Sequence, residues 1–179
     1  MQYYEDLQYL AQIDQKDSEI GKVEKWEAHE KGILHRALTV VVFFENNVVL
    51  QHRKHLVFDS VFDLTVSTHQ FYKGEKLIDD HILALQVLKR EMNLHKSDLL
   101  EKPKSVGKIQ YEAKDPNSKY SENEICHIMT CKAKKIKIPN LDFAYGFTVQ
   151  KLDSIAKPNH YLYSRLAPWV KILLAQNII

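Results

Sequence analysis

Two acidic residues in the stretch SENEICHIMTC, residues 121–131, raise the first chemical question. Glu122 and Glu124 are one residue apart, so in an extended chain their side chains share a face. Like charges that close disfavour each other unless one is protonated or a cation sits between them. An exposed strand end with two solvated acids is one reading; a cation site is the other. His29 and His35, six apart in KVEKWEAHEKGILHRALTVVVF, and His69 in TVSTHQ make three imidazoles available to the same ion. Three imidazole nitrogens with two carboxylates form a mixed N/O set suited to Zn, Mn or Mg, and six-coordination is open to it if water or a substrate oxygen joins. No two of these histidines stand in a recognised short-motif spacing, so the residues alone leave both readings open.

The elements that must position these groups read as follows. LTVVVFF, from residue 38, is β-branched and aromatic and predicts a strand; ENN turns the chain, and VVLQH (48–52) returns as its hairpin partner. Residues 56–69 alternate and are expected to be extended. A helix over about 79–94 follows from Ile82, Leu85, Leu88 and Met92 at helical spacing. SVGKIQYEA and NEICHIMTC are further strands joined by the turn-rich KDPNSKYSE. YSRLAPWVKILLAQ closes the chain as a helix that starts or kinks near Pro168. Strands, one helix, more strands and a terminal helix give an α/β or α+β domain with a mixed sheet. The first strand is followed by no glycine-rich phosphate loop, which excludes dinucleotide-binding and P-loop readings.

With 179 residues the chain is read as a single domain over 1–179, large enough to bury a core. A formal net charge of +2 gives no reason to expect a nucleic-acid partner, and the one basic run, KAKKIK (132–137), reads as a solvated strand end or hairpin. There is no apolar run near 18 residues, so no membrane span is expected. Cys126 and Cys131 have opposite parity in one strand and point to opposite faces, poorly placed to bridge; a reduced, cytoplasmic setting is the expectation.

The order of these groups resembles the type I isopentenyl-diphosphate isomerases of the Nudix superfamily. That family has a Lys and two His before and at its first core strand, matched by EKWEAHEKGILHRALT. A Cys–x–His pair follows, where this chain has STH; then come a Tyr, a DP turn and a Glu–x–Glu pair, matched by QYEAKDPNSKYSENEIC. A Trp follows Pro near the end, as Trp169 follows Pro168. The resemblance spans roughly residues 10–172. It implies a Nudix fold, a mixed sheet sandwiched between helices. It also implies metal ligands at His29, His35, His69, Glu122 and Glu124, and a Mg²⁺ bridging the substrate diphosphate at Glu91. Lys25 and Arg53 would contact that diphosphate, the latter across a two-residue gap. Glu124 with Tyr111 would be the acid assembly, and Trp169 the aromatic face over the allyl end of the substrate. The implied ligand is a short prenyl diphosphate, handled by a monomer or homodimer.

Two departures stand out. The family's catalytic Cys aligns with Ser67, and a thiol with a pKa near ~8.5 ionises far more readily than an alkyl hydroxyl. Cys126 shares parity with the glutamates and is the candidate thiol near the site. FDSVFDLTVS replaces an aromatic–Pro–Gly–x–Trp–Thr–Asn pattern, which opens the identity of the substrate. A Nudix hydrolase acting on a nucleoside or other diphosphate is one rival; it requires several carboxylates on one helix turn, where QVLKREMN keeps only Glu91, so Glu75, Asp79 and Asp80 would have to serve. A diphosphate-binding domain without turnover is the other.

Overall fold

The structure, a computed structural model, describes residues 2–179. A short helix α1 (Gln2–Glu5) precedes the hairpin β1 (Tyr9–Ile13) and β2 (Glu19–Glu24), helix α2 (Lys25–Lys31), and the hairpin β3 (His35–Phe44) and β4 (Asn47–Arg53). Strands β5 (Phe62–Leu64) and β6 (Val66–His69), the ribbon β7 (Tyr72–Lys73) and β8 (Lys76–Leu77), and helix α3 (Asp80–Met92) come next. The long hairpin β9 (Lys104–Lys114) and β10 (Ser121–Lys132), strand β11 (Ala144–Gln150), and helices α4 (Leu152–Ile155) and α5 (Pro168–Ala175) complete the chain.

Strand β3 organises the sheet because its run of β-branched and aromatic residues is buried on both faces. It pairs in parallel with β10, antiparallel with β6, and at its ends with β1 and β4. The turn into β4 has Glu45 and Asn46 both at positive φ, the geometry that suits the twist of a two-residue hairpin. One sheet face packs under α5 through Ala37, Val41, Ile128, Trp169 and Leu173. The other packs under α3 through Leu38, Val40, Met129, Val87 and Leu88. A mixed sheet is therefore sandwiched between helices, as the resemblance implied. Cys126 and Cys131 fall in the two opposite cores and are both free. Among the described residues no helix is long and apolar enough to cross a membrane.

Two local expectations are corrected. Residues 56–69 are not one extended run: Phe58, Ser60 and Thr65 adopt left-handed backbone, which breaks the segment into a loop and two short strands. The buried face of α3 runs through Leu83, Ala84, Val87, Leu88, Glu91 and Met92, and Ile82 is exposed. A charged residue on that face hid its true phase. The closing helix begins at Pro168, as expected, with a separate 3₁₀ turn at Tyr163–Arg165 before it. KAKKIK is a strand end whose Lys135 and Lys137 reach the buried Asp98.

Candidate metal centre and the cavity around it

Strand register brings the candidate ligands together. In the parallel pair Glu124 lies beside His35, in the β9–β10 hairpin it lies beside Tyr111, and in the β3–β6 pair Ala37 lies beside His69. His29 arrives from α2, which Glu24 caps at its start and Gly32, at φ 63°, ends in the left-handed region. One atom each from His29, His35, His69 and Glu122 lies within 4.8 Å of the others. His29 Nε2 is 3.0 Å from Glu122 Oε2 and 3.2 Å from His69 Nε2. Glu124 Oε1 lies 3.1 Å from His69 Nε2 and 3.5 Å from His35 Nε2. Ligand atoms bound about 2.0–2.2 Å from one ion stand about 3–4.4 Å apart, so this spacing is that of a coordination shell.

Second contacts fix the ring orientations. His29 Nδ1 donates to the Lys25 carbonyl at 2.5 Å and His35 Nδ1 to the Ile33 carbonyl at 2.7 Å, which turns both Nε2 lone pairs inward. His35 Nε2 and Glu122 Oε2 are buried without a hydrogen-bond partner. The donor set thus fits a divalent ion. Burial would raise the Glu122 carboxyl, but the neighbouring imidazoles, His29 first and then His69, hold it well below the usual carboxylate range.

Glu124 divides its oxygens. Oε1 faces the imidazoles, and Oε2 accepts a hydrogen bond from the Tyr111 hydroxyl. Burial, with the nearby Glu124 charge, pushes the Tyr111 phenol well above its ordinary range, so it stays protonated. An inner cavity of about 20 Å³ is lined by Tyr111, Glu124, Trp169, Ser67, Thr68 and Arg53. The Ser67 hydroxyl is 2.8 Å from Thr39 Oγ1, its cross-strand neighbour, and Thr39 is in turn 3.3 Å from Cys126 Sγ. Cys126 is therefore behind Ser67 rather than at the cavity wall, and burial pushes its thiol well up.

The outer end holds surprises. A second cavity, about 40 Å³, opens beside His29 and is walled by Lys25, Arg90, His55 and the α1 aromatics Tyr3 and Tyr4. Lys25 Nζ lies 4.6 Å from the Tyr3 ring centre. Arg53 lines both cavities, yet its guanidinium is committed inward: Nη1 donates to Asp63 at 3.0 Å and the group stacks 5.2 Å over Trp169. Asp63 also accepts the Trp169 indole N–H at 2.8 Å. Glu91 is not brought to His29, His35 and His69. It is fully buried on α3, with Oε1 2.5 Å from Arg90 Nη2 and Oε2 3.1 Å from Gln51 Nε2.

Arg90, His55, Asp63 and Thr39 are site residues that sequence reasoning did not single out. Asp63 carried a signal, a lone acid inside the apolar VFDLTV, where a buried carboxylate requires a partner. The carboxylates that a hydrolytic reading would need have other tasks. Glu75 is exposed and pairs with Lys22, Asp79 caps α3, and Asp80 bonds Gln70 and His127.

No known family profile matches the chain. The isopentenyl-diphosphate Delta-isomerase of Rhodobacter capsulatus is 29% identical over 159 residues, covering 87% of this chain and 85% of the relative. Protein DR0079 of Deinococcus radiodurans superposes with a TM-score of 0.67 at 10% identity, over 94% of this chain and 98% of that one. A MutT Nudix hydrolase from Burkholderia pseudomallei superposes with a TM-score of 0.53 at 14% identity, over 80% and 97%. The fold is the Nudix fold.

Proposed function

We propose that this protein interconverts isopentenyl and dimethylallyl diphosphate by moving a proton on and off the prenyl chain. The observation that carries the reading is the divided Glu124 carboxylate, one oxygen among three imidazoles and the other on the Tyr111 hydroxyl, beside the Trp169 indole. The sequence likeness to a protein named as that isomerase points the same way.

The chemistry follows from those groups. An unactivated alkene must be protonated to a tertiary carbocation, and a different proton then removed. The Tyr111–Glu124 pair holds a proton at the carboxylate oxygen facing the inner cavity. Trp169, 5.7 Å from Tyr111 between ring centres and tied to Asp63, presents an aromatic wall that favours positive charge. Ser67 offers the second hydroxyl, oriented by Thr39. His29, His35, His69, Glu122 and Glu124 would hold a divalent metal, zinc, manganese or magnesium, whose charge lowers the proton affinity of Glu124 and offsets the repulsion between the two carboxylates. The inner cavity is small, so a prenyl chain entering it displaces water that would otherwise capture the cation. Hydrolysis has less support, because both carboxylates of α3 are already bonded, Asp80 to Gln70 and His127 and Glu91 to Arg90 and Gln51.

The test is an NMR time course with isopentenyl diphosphate and metal-loaded protein, following carbon and phosphorus together. Dimethylallyl diphosphate with its diphosphate intact is the expected product, absent with Glu124→Gln. Unchanged substrate at high protein concentration, or released phosphate, sinks the reading.

A further inference from the structure

We propose that the anionic end of the ligand is neutralised by the chain's own cations, Arg90 with Lys25, and that Glu91 takes up no second metal ion. The inference rests on the reading of the ligand as a diphosphate ester.

Magnesium demands near-ideal octahedral geometry at about 2.0–2.1 Å, keeps several waters, and is usually held by one or two carboxylates together with phosphate oxygens. Glu91 does not fit that description. It is fully buried and is absent from the walls of the outer cavity. Each of its oxygens already accepts a hydrogen bond, from Arg90 Nη2 at 2.5 Å and Gln51 Nε2 at 3.1 Å, and His55 Nε2 stands 3.5 Å away. A dication here would have to expel the guanidinium that Glu91 neutralises and leave it buried without a counter-charge.

Arg90, in contrast, is poised for an anion. Its Nε is buried without a hydrogen-bond partner, and so are His55 Nε2, Thr68 Oγ1 and the Tyr4 hydroxyl. All four residues line the outer cavity beside His29. Four unpartnered polar atoms around one small space are rare, because a buried donor without an acceptor is costly. An oxyanion entering the cavity would satisfy them together. The planar guanidinium matches phosphate oxygens two at a time, and Lys25 adds a point charge within the same wall. Arg53 contributes little to anion binding, since its Nη1 is on Asp63 and its Nε and Nη2 reach the Phe58 and Val57 carbonyls, whereas Arg90 keeps its Nε free.

Titration calorimetry with inorganic pyrophosphate tests this on the full chain. Metal-free protein in chelator binds pyrophosphate, and millimolar Mg²⁺ does not tighten the binding. Arg90→Ala combined with Glu91→Gln, which removes both buried charges together, weakens it by about 10–100-fold, and Arg90→Lys retains part of the affinity. Manganese counted by electron paramagnetic resonance with pyrophosphate present gives one ion per chain. Binding that requires Mg²⁺, a second manganese lost on Glu91→Gln, or a folded double variant with wild-type affinity would overturn the proposal. Metal-free pyrophosphate binding without turnover of isopentenyl diphosphate would instead sink only the isomerase reading. Turnover with two ions per chain would sink only this one.

Discussion

Replacing Asp63 by alanine isolates the part of the site that is most exactingly built. Asp63 is fully buried, and three donors converge on it: Arg53 Nη1 at 3.0 Å, the Trp169 indole N–H at 2.8 Å and the Leu64 amide at 2.8 Å. Burial disfavours the Arg53 charge, and Asp63, with Glu91, Tyr4 and Glu122 behind it, more than offsets that and holds the guanidinium ionised. Taking the carboxylate away leaves a buried cation unpaired, which costs about 3–5 kcal/mol, and strands an indole N–H at a further cost of about 1–3 kcal/mol. The two share one group and do not add fully, so a loss of about 4–6 kcal/mol is expected. For a chain of this size that lowers the melting temperature by about 8–24 °C. Combining Arg53→Met with Asp63→Leu removes both charges and should recover most of the loss, leaving about 1–3 kcal/mol from the indole. Urea denaturation of the wild type, the two single variants and the pair measures the coupling. A single-variant loss under about 1 kcal/mol, or a pair as unstable as Asp63→Ala, would refute the reasoning.

Three other outcomes follow. Zinc or manganese at a hundredfold excess over its dissociation constant should stabilise the protein by about 2.7 kcal/mol, a rise of about 5–11 °C, and His69→Ala should remove most of that rise; an equal rise in the variant would argue against the ligand set. Ser67→Cys should raise the isomerisation rate, by about 10²-fold or more if the thiol restores a proton-transfer group; an unchanged rate in an active enzyme would displace Ser67 from that role. His127 bonds Asp80 and Asp17, each at 2.8 Å, and the Asp80 bond with that to Asp17 outweighs burial and raises its pKa. A raised folded pKa contributes stability that is full below the unfolded value near ~6.5 and fades as pH climbs through the folded one. The melting-temperature gap between wild type and His127→Gln should therefore be widest near pH 5.5–6 and shrink toward alkaline pH, whereas a gap independent of pH would contradict the assignment.

Much of the fold was legible because its signals are local. The β3–β4 hairpin, α3 and the β9–β10 hairpin announce themselves by alternation, period and turn residues. The N-terminal hairpin and α2 were not read as elements, since QYLAQI is short and mixes polar with apolar residues, EIGKVE is largely exposed and KWEAHEK is polar. The metal set was legible as a list but not as a shape. Its convergence depends on the parallel β3–β10 register and on a β3–β6 register that sets His69 beside Ala37, which are properties of chain pairing that no single segment encodes. Arg90 and His55 were invisible for a different reason. A basic residue on a helix or loop is usually solvated, and only burial against Glu91 and the α1 aromatics distinguishes these two.

The distribution of buried charge marks one place in this chain where a divalent cation would fit. Among the described residues six carboxylates are buried: Asp63, Glu91, Asp98, Asp115, Glu122 and Glu124. Asp63 has Arg53, Glu91 has Arg90, and Asp98 has Lys137 and Lys135. Asp115 lacks a cationic partner but accepts the Phe58 and Asn117 amides and the Ser118 hydroxyl. Glu122 and Glu124 differ from all of these. Among the described residues their ionic partners are the three histidines, two of which spend Nδ1 on backbone carbonyls. Nitrogen and oxygen lone pairs face one another at the centre, and His35 Nε2 and Glu122 Oε2 are left without hydrogen-bond partners. A divalent ion resolves both faults together, because it accepts every lone pair in the set and supplies the positive charge that the other buried carboxylates draw from arginine and lysine. The same requirement does not arise at Glu91, where the chain already provides the cation.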